Sequence, residues 1–330
     1  MPAYNVGPWI REAIESVLAQ TFKDFTLLVI DDCSTDNTAE VVRSFSDPRI
    51  RYEKNEHNLG LAENLNRGLD LSDTEFCARM DGDDIAEPTW LETGVKVLDS
   101  RPEVGICSFG FQFFGTKNSI VRFPEKHEDS QVQMLFGCTV IVPVFRRSVM
   151  VDNGLRYRTE MFPAEDYDMW SRCYRTTRVY NVQETMFRYR MHENQITTSR
   201  RIDQQNKASL SSLRMLEWLN PNFSNEEKMF FLLKFIPSVI EKKEDITLLQ
   251  NFADLLISRN IQNHYDNMAL KRGFANHISL ATLFYVKNEY FKQGYSPRKY
   301  IRFLKSGLLE SIPPKHRRKI LAKSLLMKKK

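Results

Sequence analysis

The sequence has few cysteines, and none of them is arranged as a close pair. Five cysteines occur in 330 residues, widely spaced and without a Cys-x-x-Cys motif. An odd number at such spacing argues against a disulfide framework and against a structural zinc site. We therefore expect reduced thiols and a cytoplasmic location for the protein.

Long apolar segments are also missing. The longest apolar run covers residues 229–240 and is interrupted by Lys234 and Pro237. A helix that crosses a bilayer needs about 20 apolar residues, so this run is too short. We recognise no signal peptide and expect a protein without a transmembrane helix.

Positive charge does not exceed negative charge outside the last 16 residues. The net charge is +5, yet residues 315–330 hold eight lysines and arginines and no acid. Removing those eight charges from +5 leaves −3, which argues against a basic nucleic-acid binder. The tail mixes lysines with Ile320 and Leu325, a pattern that suits the inner face of an anionic membrane but equally a frayed, solvated end.

Apolar periodicity divides the chain into two parts. Short apolar runs typical of buried strands alternate with amphipathic helical patterns over the first part, at residues 10–18, 25–30, 38–45, 50–53, 61–71, 75–80, 88–99 and 104–114. This order predicts an α/β fold with a mostly parallel central sheet flanked by helices. Amphipathic helices follow, so we expect a catalytic domain at 1–202 and an α-helical region with a basic tail at 203–330.

Three aspartates are crowded into one short loop after the third predicted strand. Asp81, Asp83 and Asp84 repel one another, and a divalent cation such as Mg²⁺ or Mn²⁺ would relieve that repulsion. A calcium-binding EF-hand loop is excluded, because Ala86 stands where that loop needs glycine. A solvated acidic turn that caps the next helix remains the plain structural alternative.

A second acidic pair, Asp31 and Asp32, follows a buried apolar run. Ionised carboxylates accept hydrogen bonds, so either residue could bind a base or a ribose. Loops at the carboxyl ends of parallel strands are where ligands usually bind. Capping of the next helix is the alternative, and it suits Ser34 and Asp36 better than the aspartate pair.

The segment 162–170 offers a candidate base. Glu165 and Asp166 are expected at a helix N-terminus, where the macrodipole favours negative charge, and one of them could act as a general base. Trp170 lies one turn further and could present its ring to a sugar, although an isolated tryptophan is more often a core residue.

The segment 187–192 places basic side chains on a predicted strand. Arg190 is a candidate for pairing with a diphosphate. His192 is a candidate metal ligand or phosphate partner, and a structural role is the alternative.

Taken in order, these motifs resemble the family 2 glycosyltransferases with the GT-A fold. The resemblance covers residues 1–200 and rests on Met1-Pro-Ala-Tyr-Asn5, Val29-Ile-Asp-Asp-Cys-Ser-Thr-Asp36, Asn58-Leu-Gly-Leu-Ala62, Asn66-Arg-Gly68, Arg79-Met-Asp-Gly-Asp-Asp84 and Ala164-Glu-Asp-Tyr-Asp168. It implies transfer of a sugar from a nucleotide diphosphate donor, usually UDP-linked, with inversion at the anomeric carbon.

The resemblance also implies residue roles. Pro2, Ala3 and Tyr4 would line the base pocket, and Asp32 would bond the base edge with Asp31 beside it. Asp81 would approach the ribose, and Asp83 would ligate Mn²⁺ or Mg²⁺ with Asp84 close by. Asp166 would be the catalytic base and Glu165 its neighbour.

We therefore predict an inverting glycosyltransferase that uses a nucleotide diphosphate sugar and a glycan or lipid-linked acceptor in cell-surface polysaccharide biosynthesis. One metal and one base suffice for a single displacement. The different-class alternative is a non-catalytic nucleotide-sugar-binding module. The family has an apolar strand just before the Pro-Ala-Tyr-Asn element, so we expect either a start further upstream or a central sheet that lacks a strand.

Overall fold

The computed structural model describes residues 1–192, 195 and 200–326. It contains two compact units, residues 1–214 and 215–330, which are described separately. The last four residues of the basic tail, 327–330, lie outside the described residues.

The first unit alternates strands and helices as the periodicity predicted. Its strands are β1 (Pro2–Ala3), β2 (Leu27–Asp31), β3 (Ile50–Lys54), β4 (Phe76–Ala78), β5 (Ile85–Ala86), β6 (Val104–Gly115), β7 (Ser119–Val121), β8 (Val144–Arg146) and β9 (Arg178–Met191). Its helices are α1 (Ile10–Leu18), α2 (Thr38–Arg43), α3 (Leu61–Asp70), α4 (Trp90–Ser100), α5 (His127–Gln133), α6 (Arg147–Val151) and α7 (Glu165–Cys173), and the 19-residue helix α8 (Arg201–Leu219) passes into the second unit.

Parallel pairing dominates the first of two sheets. Strands β1, β2 and β3 lie in that order, and both pairs are parallel. Helix α1 covers this part of the core, because Ile10, Ala13, Ile14 and Val17 recur at helical spacing and are buried. Strand β2 is apolar over most of its length and buried, as expected for a strand covered on both faces.

The second sheet is mixed. Its order is β4-β8-β6-β9-β5, with β7 paired to β6, and only the β6–β9 pair is parallel. A cavity of about 510 Å³ is lined by Leu27 and Leu28 of β2 and by Phe76 and Cys77 of β4, so the two sheets are not hydrogen-bonded to each other there. The expected parallel sheet thus forms one part of a larger α/β core.

The second unit is helical. It continues with α9 (Asn225–Phe230), a π-helical turn (Phe231–Phe235), α10 (Lys243–Ser258), α11 (Asn267–Phe291), α12 (Pro297–Lys305) and α13 (Pro314–Leu326). Aromatic contacts among Phe235, Phe252 and Phe274 form its core. Among the described residues, none of the helices is both long enough and apolar enough to cross a bilayer.

Candidate active site

The three aspartates lie in the short loop between β4 and β5. The Oδ2 atom of Asp83 lies 3.1 Å from Nε2 of His192, at the end of β9. Asp84 is buried, with 2% of its surface exposed, and its Oδ1 accepts a hydrogen bond of 2.8 Å from the backbone N–H of Arg190. Pairing of β5 with β9 therefore brings the aspartate loop against residues about 100 positions away.

The carboxylates of this loop are crowded and poorly compensated. Burial raises the pKa of Asp83, and the charge of Asp81 raises it further. Burial also raises the pKa of Asp84 well above its usual value, as do the charges of Asp83 and Asp81. In addition, Oδ1 of Asp81 is buried without a hydrogen-bond partner among the described residues, although it forms an ion pair with Nε of Arg79 at 3.5 Å. Each of these effects would be relieved by a nearby cation.

His192 and Asp83 present two ligand atoms at a spacing that suits an octahedral ion. Two atoms that bind Mg²⁺ at about 2.1 Å and at right angles lie about 3.0 Å apart, close to the 3.1 Å between Asp83 Oδ2 and His192 Nε2. The His192 ring stacks on Trp9, with centroids 3.9 Å apart, which fixes its orientation. The described residues contain no cluster of three or more His, Cys, Asp or Glu side chains able to hold a metal, so further ligands would come from a bound diphosphate or water.

Arg190 holds the aspartate loop in place. Its Nε donates a hydrogen bond of 2.8 Å to the carbonyl oxygen of Asp83, and its Nη2 contacts the carboxylate of Glu12. Its guanidinium also lies over the ring of Phe114, 4.6 Å from the centroid. We predicted a diphosphate contact for Arg190; in the structure its Nε and Nη2 are held by these internal partners.

Asp31 and Asp32 are also occupied by internal contacts. Asp31 accepts hydrogen bonds from the backbone N–H of Ser34 at 2.8 Å and from the hydroxyl of Tyr52 at 2.6 Å. Asp32 accepts hydrogen bonds from the side chain of Asn55 and from the backbone N–H groups of residues 59 and 60. Both aspartates are buried, and these contacts shape the loops around the predicted base pocket.

The other predicted base-pocket residues differ in exposure. Ala3 is buried in β1, whereas Tyr4 is 51% exposed directly after that strand. Pro2 pairs with Ile30 of β2. Tyr4 is therefore the one of these three side chains with an open aromatic surface.

Arg79 connects the aspartate loop with the N-terminus of α7. Its side chain is 14% exposed, and its Nε lies 3.5 Å from Oδ1 of Asp81. Its Nη2 lies 4.0 Å from Oε1 of Glu165, and its guanidinium is 6.0 Å from the ring centroid of Tyr157. No role was predicted for Arg79 from the sequence, although the residue stands two positions before Asp81.

Glu165 and Asp166 form an acidic pair in the first turn of α7. Burial and the charge of Asp166 raise the pKa of Glu165 to about 7, against the opposing charge of Arg79. The Glu165 side chain is 4% exposed, and its Oε2 has no hydrogen-bond partner among the described residues. Burial also raises the pKa of Asp166, whose Oδ1 accepts a hydrogen bond of 2.6 Å from the backbone N–H of Tyr167. The pair can therefore take up a proton near neutral pH.

The rest of α7 is anchored in the core. Trp170 is fully buried and packs against Phe145 and Tyr157, with centroids 5.9 and 6.2 Å away. This corrects our prediction of an acceptor contact for Trp170, because a fully covered ring offers no face to a sugar. Asp168, which we had not singled out, is fully buried and contacts Arg158, Arg172 and Arg214.

Comparison with known proteins agrees with this geometry. Residues 1–146 match the model of glycosyl transferase family 2. An uncharacterized glycosyltransferase of Haemophilus influenzae is 32% identical over 211 residues, which are 59% of this chain and 65% of that protein. This chain therefore covers less than two thirds of the length of that relative.

Two solved structures have a similar fold. The first, Staphylococcus aureus TarS 1–349 in complex with UDP-GlcNAc, has a TM-score of 0.57 at 18% identity and covers 89% of this chain and 91% of its own. The second is the mannosyltransferase PcManGT of Pyrobaculum calidifontis in complex with GDP-Man and Mn²⁺. It has a TM-score of 0.52 at 15% identity, with 87% of this chain and 86% of its own covered.

The fold and the family match place residues 1–146 in the glycosyltransferase class of protein. These residues match glycosyl transferase family 2, and the fold is that of the GT-A transferases, in agreement with the predicted family and fold class.

Proposed function

We propose that this protein transfers a sugar from a nucleotide diphosphate donor, most simply a UDP-sugar, to a hydroxyl group of a glycan or lipid-linked acceptor, with inversion at the anomeric carbon. We further propose that residues 1–202 carry the catalysis and that the product contributes to a cell-surface polysaccharide. Support for the donor class comes from the similar structures, which were solved with UDP-GlcNAc and with GDP-Man.

One observation carries the proposal. Arg79 contacts Asp81 of the aspartate loop and Glu165 of the acidic pair, at 3.5 and 4.0 Å. Asp81, predicted to approach the ribose, and Glu165, the neighbour of the predicted base, therefore lie next to a single guanidinium. That arrangement suits a transferase, because the leaving group and the attacking hydroxyl must meet at the same carbon.

Asp83 and His192 would hold a divalent ion, Mn²⁺ or Mg²⁺. Their 3.1 Å spacing and the crowding of the aspartates fit such an ion. When bound, the ion would neutralise negative charge on the diphosphate. In this assignment Asp84 and Arg190 keep the loop in position, and Asp81 faces Arg79.

Asp166, with Glu165 beside it, would accept the proton of the acceptor hydroxyl. A carboxylate whose pKa is raised toward neutrality is a better proton acceptor than an exposed one. The charge of Arg79 opposes the increase in pKa of both Glu165 and Asp166, and so favours their ionised forms. In this proposal Tyr4, with its exposed ring, would contact the nucleotide base.

Asp166→Asn tests the proposed base. We expect the unaltered chain to release nucleotide slowly from UDP-GlcNAc or GDP-mannose in the presence of Mn²⁺. The variant should lose transfer by at least about a hundredfold, while thermal stabilisation by the donor with Mn²⁺ stays nearly unchanged. Normal turnover in Asp166→Asn would remove that residue from its role, and failure of every nucleotide sugar to stabilise or react would contradict the transferase itself.

A further inference from the structure

Two apolar side chains project from the middle of α11 in the second unit. Phe284 is 69% exposed and Leu280 is 46% exposed. Positions 280, 284 and 287 follow helical spacing, so both side chains share one face of the helix with Lys287. Exposed apolar groups that lie together on one helix face mark an interaction surface more often than isolated ones do.

Basic side chains of α13 gather beside this face. Ser279 donates a hydrogen bond of 3.0 Å to the carbonyl oxygen of Ser311, which brings the chain just before α13 against α11. Desolvation lowers the pKa of His316, and the charges of Lys287, Lys315 and Lys319 lower it further. The charge of Lys287 on α11 and the charges of two lysines on α13 therefore act on the same imidazole.

Basic residues outnumber acidic residues in the segment that carries these lysines. Residues 279–326 contain eleven lysines and arginines but only two glutamates. Each glutamate has its own arginine partner, since Glu289 pairs with Arg302 at 3.1 Å and Glu310 pairs with Arg317 at 2.5 Å. Within this segment positive charge therefore exceeds negative charge by nine, although Glu244 and Asp245 of α10 also act on Tyr285 of α11.

We propose that the face formed by Leu280, Phe284, Lys287, Lys315 and Lys319, the docking face, binds the surface of an anionic phospholipid membrane. The two apolar side chains enter the region between headgroups and acyl chains, and the lysines contact the lipid phosphates. Charge complementarity favours an anionic partner, and the two apolar side chains favour a bilayer over a soluble polyanion. This assignment places the membrane contact on two described helices, beyond the basic tail considered from sequence alone.

Vesicle sedimentation tests the docking face on the full chain. The vesicles contain phosphatidylcholine alone or phosphatidylcholine with about one third phosphatidylglycerol, and the unaltered chain should sediment only with the second. Each lysine near such a surface changes partitioning about fivefold, so Lys287→Glu/Lys315→Glu/Lys319→Glu should reduce it at least about a hundredfold. The matched control, Lys96→Glu/Lys126→Glu/Lys271→Glu, alters the net charge equally at exposed positions elsewhere and should still sediment.

A second variant tests the apolar part. Leu280→Ser/Phe284→Ser should weaken binding about tenfold or more, because it removes the side chains that enter the bilayer. Equal sedimentation with both vesicle types, or equal loss in the control, would overturn the proposal. Retention of binding by the serine variant would also do so, as would binding to dextran sulfate without binding to vesicles. Nucleotide release without vesicles should be unchanged in all variants, which separates this proposal from the transferase activity.

Discussion

Replacing Glu165 by glutamine should stabilise the protein at alkaline pH. Glu165 is almost fully buried, and its pKa is raised from 4.5 to about 7. The folded state therefore holds a proton more tightly than the unfolded state, and stability declines as pH rises from about 4.5 through about 7. A difference of roughly 2.5 pKa units at 1.36 kcal/mol each gives a penalty of about 3 kcal/mol above that range.

The amide of Glu165→Gln cannot ionise, so the variant escapes this penalty. At pH 8 we expect it to be more stable than the unaltered chain by up to about 3 kcal/mol, equivalent to about 6–12 °C for a unit of this size. Near pH 4 the difference should vanish, because Glu165 is then protonated in both states. Thermal unfolding followed by circular dichroism at several pH values measures the difference.

An exposed residue provides the control. Glu103 is exposed, so Glu103→Gln should leave stability unchanged across the same pH range. A Glu165→Gln variant that is less stable than the unaltered chain at pH 8 would refute the reasoning. So would a stability difference that stays constant between pH 4.5 and 7, because the effect would then not come from ionisation.

Two further predictions concern Arg79 and Asp168. Arg79→Met removes a charge that lowers the pKa of both Glu165 and Asp166, so the acidic limb of the plot of kcat/KM against pH should move to higher pH. Arg79→Lys keeps the charge and should move this limb less. An unchanged pH profile in Arg79→Met would contradict this role of Arg79. Asp168→Asn leaves three arginines around a neutral amide in the core and should cost about 3–5 kcal/mol in denaturant unfolding. Glu128→Gln, which breaks a partly exposed pair with Arg178, should cost less than about 1 kcal/mol, and equal costs would contradict the importance of burial.

Local sequence patterns predicted the first half of the fold closely. The helix expected at residues 10–18 is α1 (Ile10–Leu18), and the strand expected at 25–30 is β2 (Leu27–Asp31). Both elements were predictable because burial of one helix face gives apolar residues at helical spacing, and burial of a whole strand gives a continuous apolar run. The mixed strand pairing of the second sheet could not be predicted from the sequence. Strand β6 pairs with β9 more than 60 positions away, and local sequence patterns do not identify so distant a partner.

The candidate active site was likewise predicted only in part from the sequence. Residue types and spacing identified Asp83, His192 and the pair Glu165 and Asp166 as candidates, and the structure places Asp83 next to His192. They did not show that Arg190 and Asp32 are occupied by internal contacts, or that Trp170 is covered. Whether a polar side chain faces a ligand or a neighbouring loop depends on which distant segment lies beside it.

The sequence by itself determined which segments form helices and strands and which loops carry carboxylates, because those properties follow from neighbouring residues. Only the tertiary structure decided that Arg79 contacts carboxylates of the aspartate loop and of α7, and that Lys287 and two lysines of another helix act on His316. The physical reason is that burial and Coulomb interactions depend on distance in space. Charged residues far apart in the chain interact electrostatically and shift one another's pKa values only when folding brings them together.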